Sequence, residues 1–486
     1  MRGFLRMPPS IGCGCPAKIL RGREMRALSP DPSLGQVVVL GGSVAGLLAA
    51  HVLSRHAERV TVLERDHYEG GPEPRMGVPQ SRHTHVLLTS GLDALSELLP
   101  GLPGELREAG GPCLSVPADL GVWQAAQWVS RDNPSAPVMT ASRPLLEYVL
   151  RRRVLADPRI EVLTSTEVTA LLGRPEHIIG VRTRGRGAGD RAPRNLLADL
   201  VVDATGRSSR TPEWLTELGA AAVDEEVLET GRAYATCVFH ADNTGPADEV
   251  KGFYIVPDAA QPFGAIILPV ENDRCMVTLS GPRGQAPPTE LAGFVDFAGG
   301  LPHDAPHKWL SKASPAGRPV GYRHTSNRRR RYDRDRAGHT RSGLLVVGDA
   351  LCALNPVYGQ GLSVAALNAV ALGRALARTR HAPSAHSLQR AVLRSSRGAW
   401  DVATGADSPM PGAAGNAVRT GPVNEFLNWY LERVRERVPG DPVVCRAFRD
   451  VLFLLAPPHS LLTSPQVLRR SLLRSPVPTP ADLPTP

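Results

Sequence analysis

Residues 345–361 read Leu-Val-Val-Gly-Asp-Ala-Leu-Cys-Ala-Leu-Asn-Pro-Val-Tyr-Gly-Gln-Gly. An apolar strand delivers Asp349 at its carboxyl end. Pro356, Gly359, Gln360 and Gly361 then let the backbone approach something flat before an Ala/Leu-rich helix begins. This arrangement suits a flavin. The Asp349 carboxylate can accept hydrogen bonds from ribityl hydroxyls. The positive end of a helix starting near Gly361 would face the N1 and C2-carbonyl side of an isoalloxazine, where reduction deposits negative charge. Alone, a Gly-Asp-Ala triplet is common, and a buried strand followed by a helix is the competing, less favoured account of it.

The start of the chain supplies the second half of the argument. Val37 to Leu40 form a short apolar β-run that feeds into Gly41-Gly42-Ser43-Val44-Ala45-Gly46 and an apolar helix to about Leu53. A second strand, Arg59 to Leu63, ends in Glu64. Strand, glycine turn, helix and acidic strand end stand in the order a dinucleotide needs: the turn passes close to the pyrophosphate, the helix N-terminus holds its charge, and Glu64 accepts from the adenosine ribose. Ser43 replaces the middle glycine of GxGxxG. An acid at position 64 disfavours a 2′-phosphate, so the site suits FAD better than NADP. No second dinucleotide fingerprint is present. A nicotinamide donor, NADPH or NADH, is therefore expected to bind transiently or to act through a separate flavin reductase.

A third segment, Leu200-Val201-Val202-Asp203-Ala204-Thr205-Gly206-Arg207-Ser208-Ser209, again ends a buried strand in an acid and a glycine. With the other two, it resembles the flavoprotein monooxygenases of the para-hydroxybenzoate hydroxylase type over most of residues 36–400. Asp-Ala-Thr-Gly stands where that family often has Asp-Gly adjacent. The segments Arg75 to His85, Asn327 to Asp333 and Asn355 to Gly361 look, in addition, like the flavin-dependent epoxidases of polyether ionophore biosynthesis, of the lasalocid and monensin pathway type. The resemblance implies non-covalent FAD, molecular oxygen as co-substrate, a flavin C4a-hydroperoxide, and oxygen insertion into an alkene of a hydrophobic polyketide. It also implies that Arg143 reaches the flavin or pyrophosphate and that Val168 meets the adenine through its backbone. Arg65, beside Glu64, and Arg82 complete the candidate cofactor-binding residues. His83 and His85 lie in a segment that approaches the flavin in this family; they read as structural imidazoles or as a gate or proton donor.

The expected fold class is α/β, or α+β overall: a Rossmann-like FAD-binding domain with an interleaved antiparallel-sheet substrate domain and C-terminal helices. The cofactor domain is discontinuous over 34–90, 142–220 and 340–400, and the substrate domain takes 91–141 and 221–339. Helices follow over 401–475, then a Pro-rich tail over 476–486. Residues 1–33 read as a disordered extension, with Met25 a plausible initiator. Ser142-Arg143-Pro144 opens a helix. Alternating strands at Ala233 to Phe239, Phe253 to Val256, Ala265 to Val270 and Cys275 to Leu279 suggest an antiparallel sheet. Trp123, Trp128, Tyr234, Phe239, Phe253, Tyr254 and Phe263 are candidate pocket aromatics, of which two or three are expected to touch substrate because most aromatics are core.

Composition agrees with a soluble cytoplasmic enzyme. The 486 residues, 42% of them hydrophobic, can bury a large core. No apolar run approaches the roughly 18–20 residues that cross a bilayer. The seven Cys lack metal-ligand spacing and read as reduced thiols, Cys352 as a small packed residue. The formal charge of +9 does not indicate nucleic acid: six of the basic residues lie before residue 30, and the run Arg328 to Arg331 reads as a solvated strand paired locally with the following Asp333 and Asp335, one of its arginines being available to a passing nicotinamide dinucleotide. Three alternatives to the epoxidase stand. An aromatic polyketide hydroxylase shares every motif but wants a base for a phenol. A halogenase is disfavoured because neither Trp123 nor Trp128 is followed by Ile-Pro. A reductase, or a dinucleotide-binding protein without oxygen insertion, is the third.

Overall fold

The computed structural model describes residues 34–186, 192–241, 250–333, 341–378 and 383–479. The expected extension 1–33, Asp335 and the end of the Pro-rich tail lie outside the described residues.

The apolar run at the start of the chain forms β1 (Leu34–Leu40), whose last four residues are fully buried. It leads into α1 (Val44–Leu53) and β2 (Ala57–Leu63). Later come α2 (Arg143–Val154), β3 (Ile160–Leu163), β4 (Leu200–Asp203), β5 (Leu344–Val346) and α3 (Gly361–Ala377). The five strands make one parallel sheet in the order β5-β4-β1-β2-β3. Parallel strands covered on both faces read as continuous Val/Leu runs, which is why this layer was visible in the sequence. In register, Leu40 lies beside both Leu63 and Asp203, and Asp203 lies beside Val346. The Gly41 turn, Glu64, the Ala204 turn and the Gly348 turn therefore leave the sheet at one edge, the carboxyl edge where α/β sheets bind ligands.

A mixed seven-stranded sheet carries the second domain. Its order is Val320–Tyr322, Ala233–His240, Arg274–Gly281, Gly264–Val270, Gly252–Ile255, Leu120–Gln124 and Gln127–Trp128. The expected antiparallel strands are all present. Leu120–Gln124, however, joins them parallel to Gly252–Ile255, a pairing between distant segments that no local pattern announces. Phe239, Phe253 and Phe294 fill the core between this sheet and the helices at its back. Helices Pro422–Arg437, Pro442–Leu452 and Pro465–Leu473 form a third core around Tyr430, Val434 and Val444. Among the described residues no helix is long and apolar enough to cross a membrane.

The arginine run departs from expectation. Asn327–Arg330 lies between Glu225–Leu228 and Cys352–Ala353 rather than in solvent. Antiparallel register sets Glu225 beside Arg330 and Glu226 beside Arg329. Arg330 Nε donates to Glu225 Oε1 at 2.7 Å, and Arg329 Nε donates to Glu226 Oε2 at 2.5 Å while its guanidinium covers Trp400 at 4.5 Å. The expected local pairing is present at Arg331, which donates to both oxygens of Asp333 at 2.9 Å, but the acids that pair Arg329 and Arg330 stand far upstream, out of reach of any local reading.

Gly46 is where α1 rests on the preceding turn, and a Cβ there would sit 1.8 Å from the Gly41 carbonyl oxygen. Overpacking of that kind costs about 1–3 kcal/mol. Gly46→Ala should lower the melting temperature by several degrees in a thermal scan, whereas Gly361→Ala, whose Cβ meets nothing within 4 Å, should leave the cofactor-free protein unchanged.

Candidate functional site

A cavity of about 310 Å³ lies between the carboxyl edge of the parallel sheet and one face of the seven-stranded sheet. Ser43, Ala45, Arg143, Asp349, Gly359 and Gly361 line its first wall, and Leu120, Val138, Ile255, Ile266, Leu268 and Phe453 its far end. One wall is polar and glycine-rich, the other aliphatic.

At the dinucleotide end, the β1–α1 turn is held from beneath. Glu64 is buried; Oε2 accepts from the Gly42 N–H at 2.9 Å and Oε1 from the Asp66 N–H at 2.9 Å. Arg75, also buried, bridges Glu64 (3.1 Å), Asp66 (3.4 Å) and Glu147. Burial disfavours the Arg75 charge, but Glu147 and Glu64 outweigh it and its pKa is raised. Ser43 Oγ donates to Glu147 Oε2 at 2.5 Å and accepts from Arg143 at 2.9 Å. Thus Arg143, expected from family likeness, stands against the turn at the cavity wall. Arg75, Glu147 and Tyr68, whose hydroxyl donates to the Gly42 carbonyl at 2.7 Å, were not anticipated. The one available sequence signal was Glu147 four residues after Arg143 on a helix.

Asp349 follows β5 in a short 3₁₀ turn and borders the cavity. Among the described residues it makes no hydrogen bond or ion pair, so its acceptors are free for hydroxyl donors. The first ladder bond beyond the turn runs from the Val364 N–H to the Gln360 carbonyl, so the N–H groups of the first turn of α3 lie outside the helix ladder. Gly359, at φ +63°, turns the chain into that helix. A free carboxylate, an open helix N-terminus and, at Gly361, a glycine with empty space above it fit the ribityl chain and isoalloxazine of a flavin.

Other predicted positions fall elsewhere. Gly41, Gly42 and Gly46 shape the turn behind the wall. Asp203 is fully buried; Thr205 N–H and Oγ donate to Oδ1 (2.9 and 2.6 Å) and Ser209 Oγ to Oδ2 (2.5 Å), so its oxygens organise the Ala204–Ser209 turn and do not reach the cavity. Gln360 is buried and donates to the Leu452 carbonyl at 3.0 Å. Arg65 and Arg82 are exposed, Arg65 donating to the Gly77 carbonyl at 3.1 Å. Pro356 is exposed at the cavity rim. Val168 stands near a bulge in Thr166–Arg174, a strand whose first N–H donates to the Glu64 carbonyl at 2.9 Å. Of the seven candidate aromatics only Tyr234 and Tyr254 line the cavity, joined by the unforeseen Tyr322 and Tyr358. Trp123 and Trp128 pack edge to face at 5.2 Å outside it. Burial pushes the Cys352 thiol up to about 12, in keeping with an inert packed residue.

His83 and His85 both border the cavity. His83 Nδ1 bonds Thr236 Oγ at 2.8 Å; His85 Nδ1 donates to the His83 carbonyl at 2.8 Å, and its Nε2 has no hydrogen-bond partner among the described residues. Burial lowers the His83 pKa to about 4 and that of His85 to about 3, with Arg82 and Arg143 adding to the effect.

The family described as FAD binding domain matches residues 35–404. The chain belongs to that family. Protein Rv3254 of Mycobacterium tuberculosis is 31% identical, the alignment covering 89% of this chain and 97% of the relative. Among solved structures, the flavin-dependent brominase Bmp2 superimposes with a TM-score of 0.63 at 15% identity, covering 90% of this chain and 97% of the other. The p-nitrophenol 4-monooxygenase PnpA from Pseudomonas putida gives 0.59 at 17%, covering 86% and 98%. At those identities the likeness is one of fold. This flavoprotein thus combines a family-defining FAD-binding domain with a second sheet and C-terminal helices.

Two measurements test the site. Asp349→Asn should weaken FAD binding about tenfold, the loss of a charge-assisted hydrogen bond, without changing the melting temperature of the FAD-free protein. The histidines set an acid limit: with folded pKa values below the ordinary 6.5, the unfolded chain takes up protons first, so their contribution is complete above pH 6.5 and declines as pH falls toward 4. His83→Gln should flatten the drop in melting temperature between about pH 6 and 4; an unchanged slope would show that His83 is not held neutral.

Proposed function

We propose that this flavoprotein is a monooxygenase that inserts one atom of dioxygen into an alkene of a hydrophobic polyketide, giving an epoxide. The observation that carries the reading is the cavity itself: an aliphatic chamber continuous with the candidate flavin wall and without a proton acceptor matched to neutral pH. Bound and reduced, FAD supplies activated oxygen. The protein positions and shields. Asp349 and the α3 N-terminus orient the cofactor, Arg143 faces it beside the dinucleotide turn, and Ile255, Ile266, Leu268 and Phe453 exclude water from the substrate. Alkene, dioxygen, NAD(P)H and a proton give epoxide, NAD(P)⁺ and water, with NADPH or NADH acting directly or through a reductase.

Epoxidation needs no strong base. The Tyr234 hydroxyl is committed to Asn355, that of Tyr254 to the Val357 carbonyl and that of Tyr358 to Asp407. Burial pushes the phenol pKa of each upward. His85 offers an Nε2 without a hydrogen-bond partner among the described residues, yet an imidazole with a pKa lowered to about 3 is a poor acceptor for a phenol proton. A second reading, hydroxylation of an aromatic polyketide, draws on the tyrosine rings that line the cavity and suit a flat substrate.

Turnover of polyene and aromatic polyketides under ¹⁸O-labelled dioxygen separates these readings. One labelled atom per oxirane is the expected result. Label in a ring hydroxyl would establish the hydroxylase, and substrate reduction without label would remove oxygen insertion altogether.

A further inference from the structure

The helix Arg397–Asp407 ends beyond the matched family span, and its last residue enters the site from behind. Asp407 is 2% exposed. Its Oδ1 accepts from the Tyr358 hydroxyl at 2.6 Å, and its Oδ2 accepts from Asn327 Nδ2 at 2.6 Å and Asn355 Nδ2 at 2.9 Å. Asn355 relays the contact: its N–H donates to Asn327 Oδ1 at 2.7 Å, while its own Oδ1 accepts from the Tyr234 hydroxyl at 2.5 Å and the Val357 N–H at 3.3 Å. A carboxylate sunk this deep is costly unless its lone pairs are filled, and a network of this kind holds one arrangement because breaking any member strands the others. Two of the three groups that fill it belong to the Asn355–Gly359 turn, and Tyr234, Asn355 and Tyr358 all face the cavity.

We infer that Asp407 is a positioning residue of the flavin site: its carboxylate fixes the Asn355–Gly359 turn and so sets the Tyr358 and Tyr234 rings at the boundary between cofactor loop and apolar chamber. The inference rests on the reading of that turn as the flavin-facing loop, but not on which oxygenation follows. It gives the C-terminal helices a part in the chemistry besides that of outer wall.

A charge-swap cycle on the purified FAD-loaded protein tests it. In Asp407→Asn, an amide N–H is forced against donors; in Asn355→Asp, two carboxylates face one another. When both substitutions are combined, the new amide at position 407 can donate to the new carboxylate at position 355 and still accept from Tyr358, while that carboxylate keeps the bonds to Tyr234 and Val357; only the Asn327 Nδ2 donor, which shares Oδ2 in the native protein, is left facing an amide N–H. Each single variant should alter the visible circular dichroism of bound FAD and raise the substrate KM about tenfold with a smaller change in kcat, and the double variant, in which only the Asn327 bond is lost, should recover most of both. Tyr358→Phe, a milder change, should reproduce the Asp407→Asn spectrum and add nothing to it. Wild-type flavin dichroism in the singles and in Tyr358→Phe would overturn the assignment, as would a lowered melting temperature with an unperturbed flavin signal, which marks a structural role only. The dichroism is read without substrate, so a wrong product class leaves this test intact.

Discussion

The structure depends on the parallel register that places Leu40 beside both Leu63 and Asp203. That pairing brings turns from distant parts of the chain to one sheet edge, and Gly46 lets α1 sit directly on the first of them. With any bulkier side chain the helix would lift from the turn. Glu64 would then lose its bond to the turn, and Ser43 and Asp349 would no longer face a common space.

Electrostatics follows from this convergence. Strand and helix ends deliver Glu64, Asp66 and Glu147 to one buried neighbourhood, and Arg75 is the cation that makes the concentration of negative charge tolerable. Truncating Arg75 would leave carboxylates buried beside one another, so the loss would exceed the value of any single pair. Asp349, by contrast, sits at the cavity wall with no hydrogen-bond or ion-pair partner among the described residues. The difference separates a carboxylate that builds the site from one available to a ligand.

The second domain contributes by subtraction. The Tyr234 and Tyr254 hydroxyls donate into the Asn355–Gly359 turn, and aliphatic side chains take much of the remaining wall, while on the cofactor side burial holds His83 and His85 neutral. What a substrate meets is shape and a surface that is mostly aromatic and aliphatic, with Thr84, Thr278 and Ser280 among its few polar side chains. Specificity in such a chamber comes from fit and water exclusion more than from paired hydrogen bonds.

Much of this was legible in the chain. The Val37–Leu40 and Leu345–Val347 runs, the glycine turn, Glu64 and Asp349 are local signals, because a buried parallel strand and a tight turn each constrain adjacent residues directly. Two of the seven candidate aromatics reach the cavity, since side-chain direction in a strand depends on register and on which face is covered. Arg328–Arg331 looked solvated because Glu225 and Glu226 lie far upstream. Asp203 looked like a ligand residue until Thr205 and Ser209 closed over it. Arg75 and Tyr358 lie inside segments that carry the family likeness, yet nothing beside them in the sequence shows that one bridges three acids or that the other bonds Asp407, and Asp407 carries no motif at all. The sequence by itself determined the cofactor class and the order of strands and turns, for those are written in residues next to one another. Only the tertiary structure decided which charges are neutralised, which hydroxyls are free and what closes the chamber, because each of those depends on groups that meet in space from opposite ends of the chain.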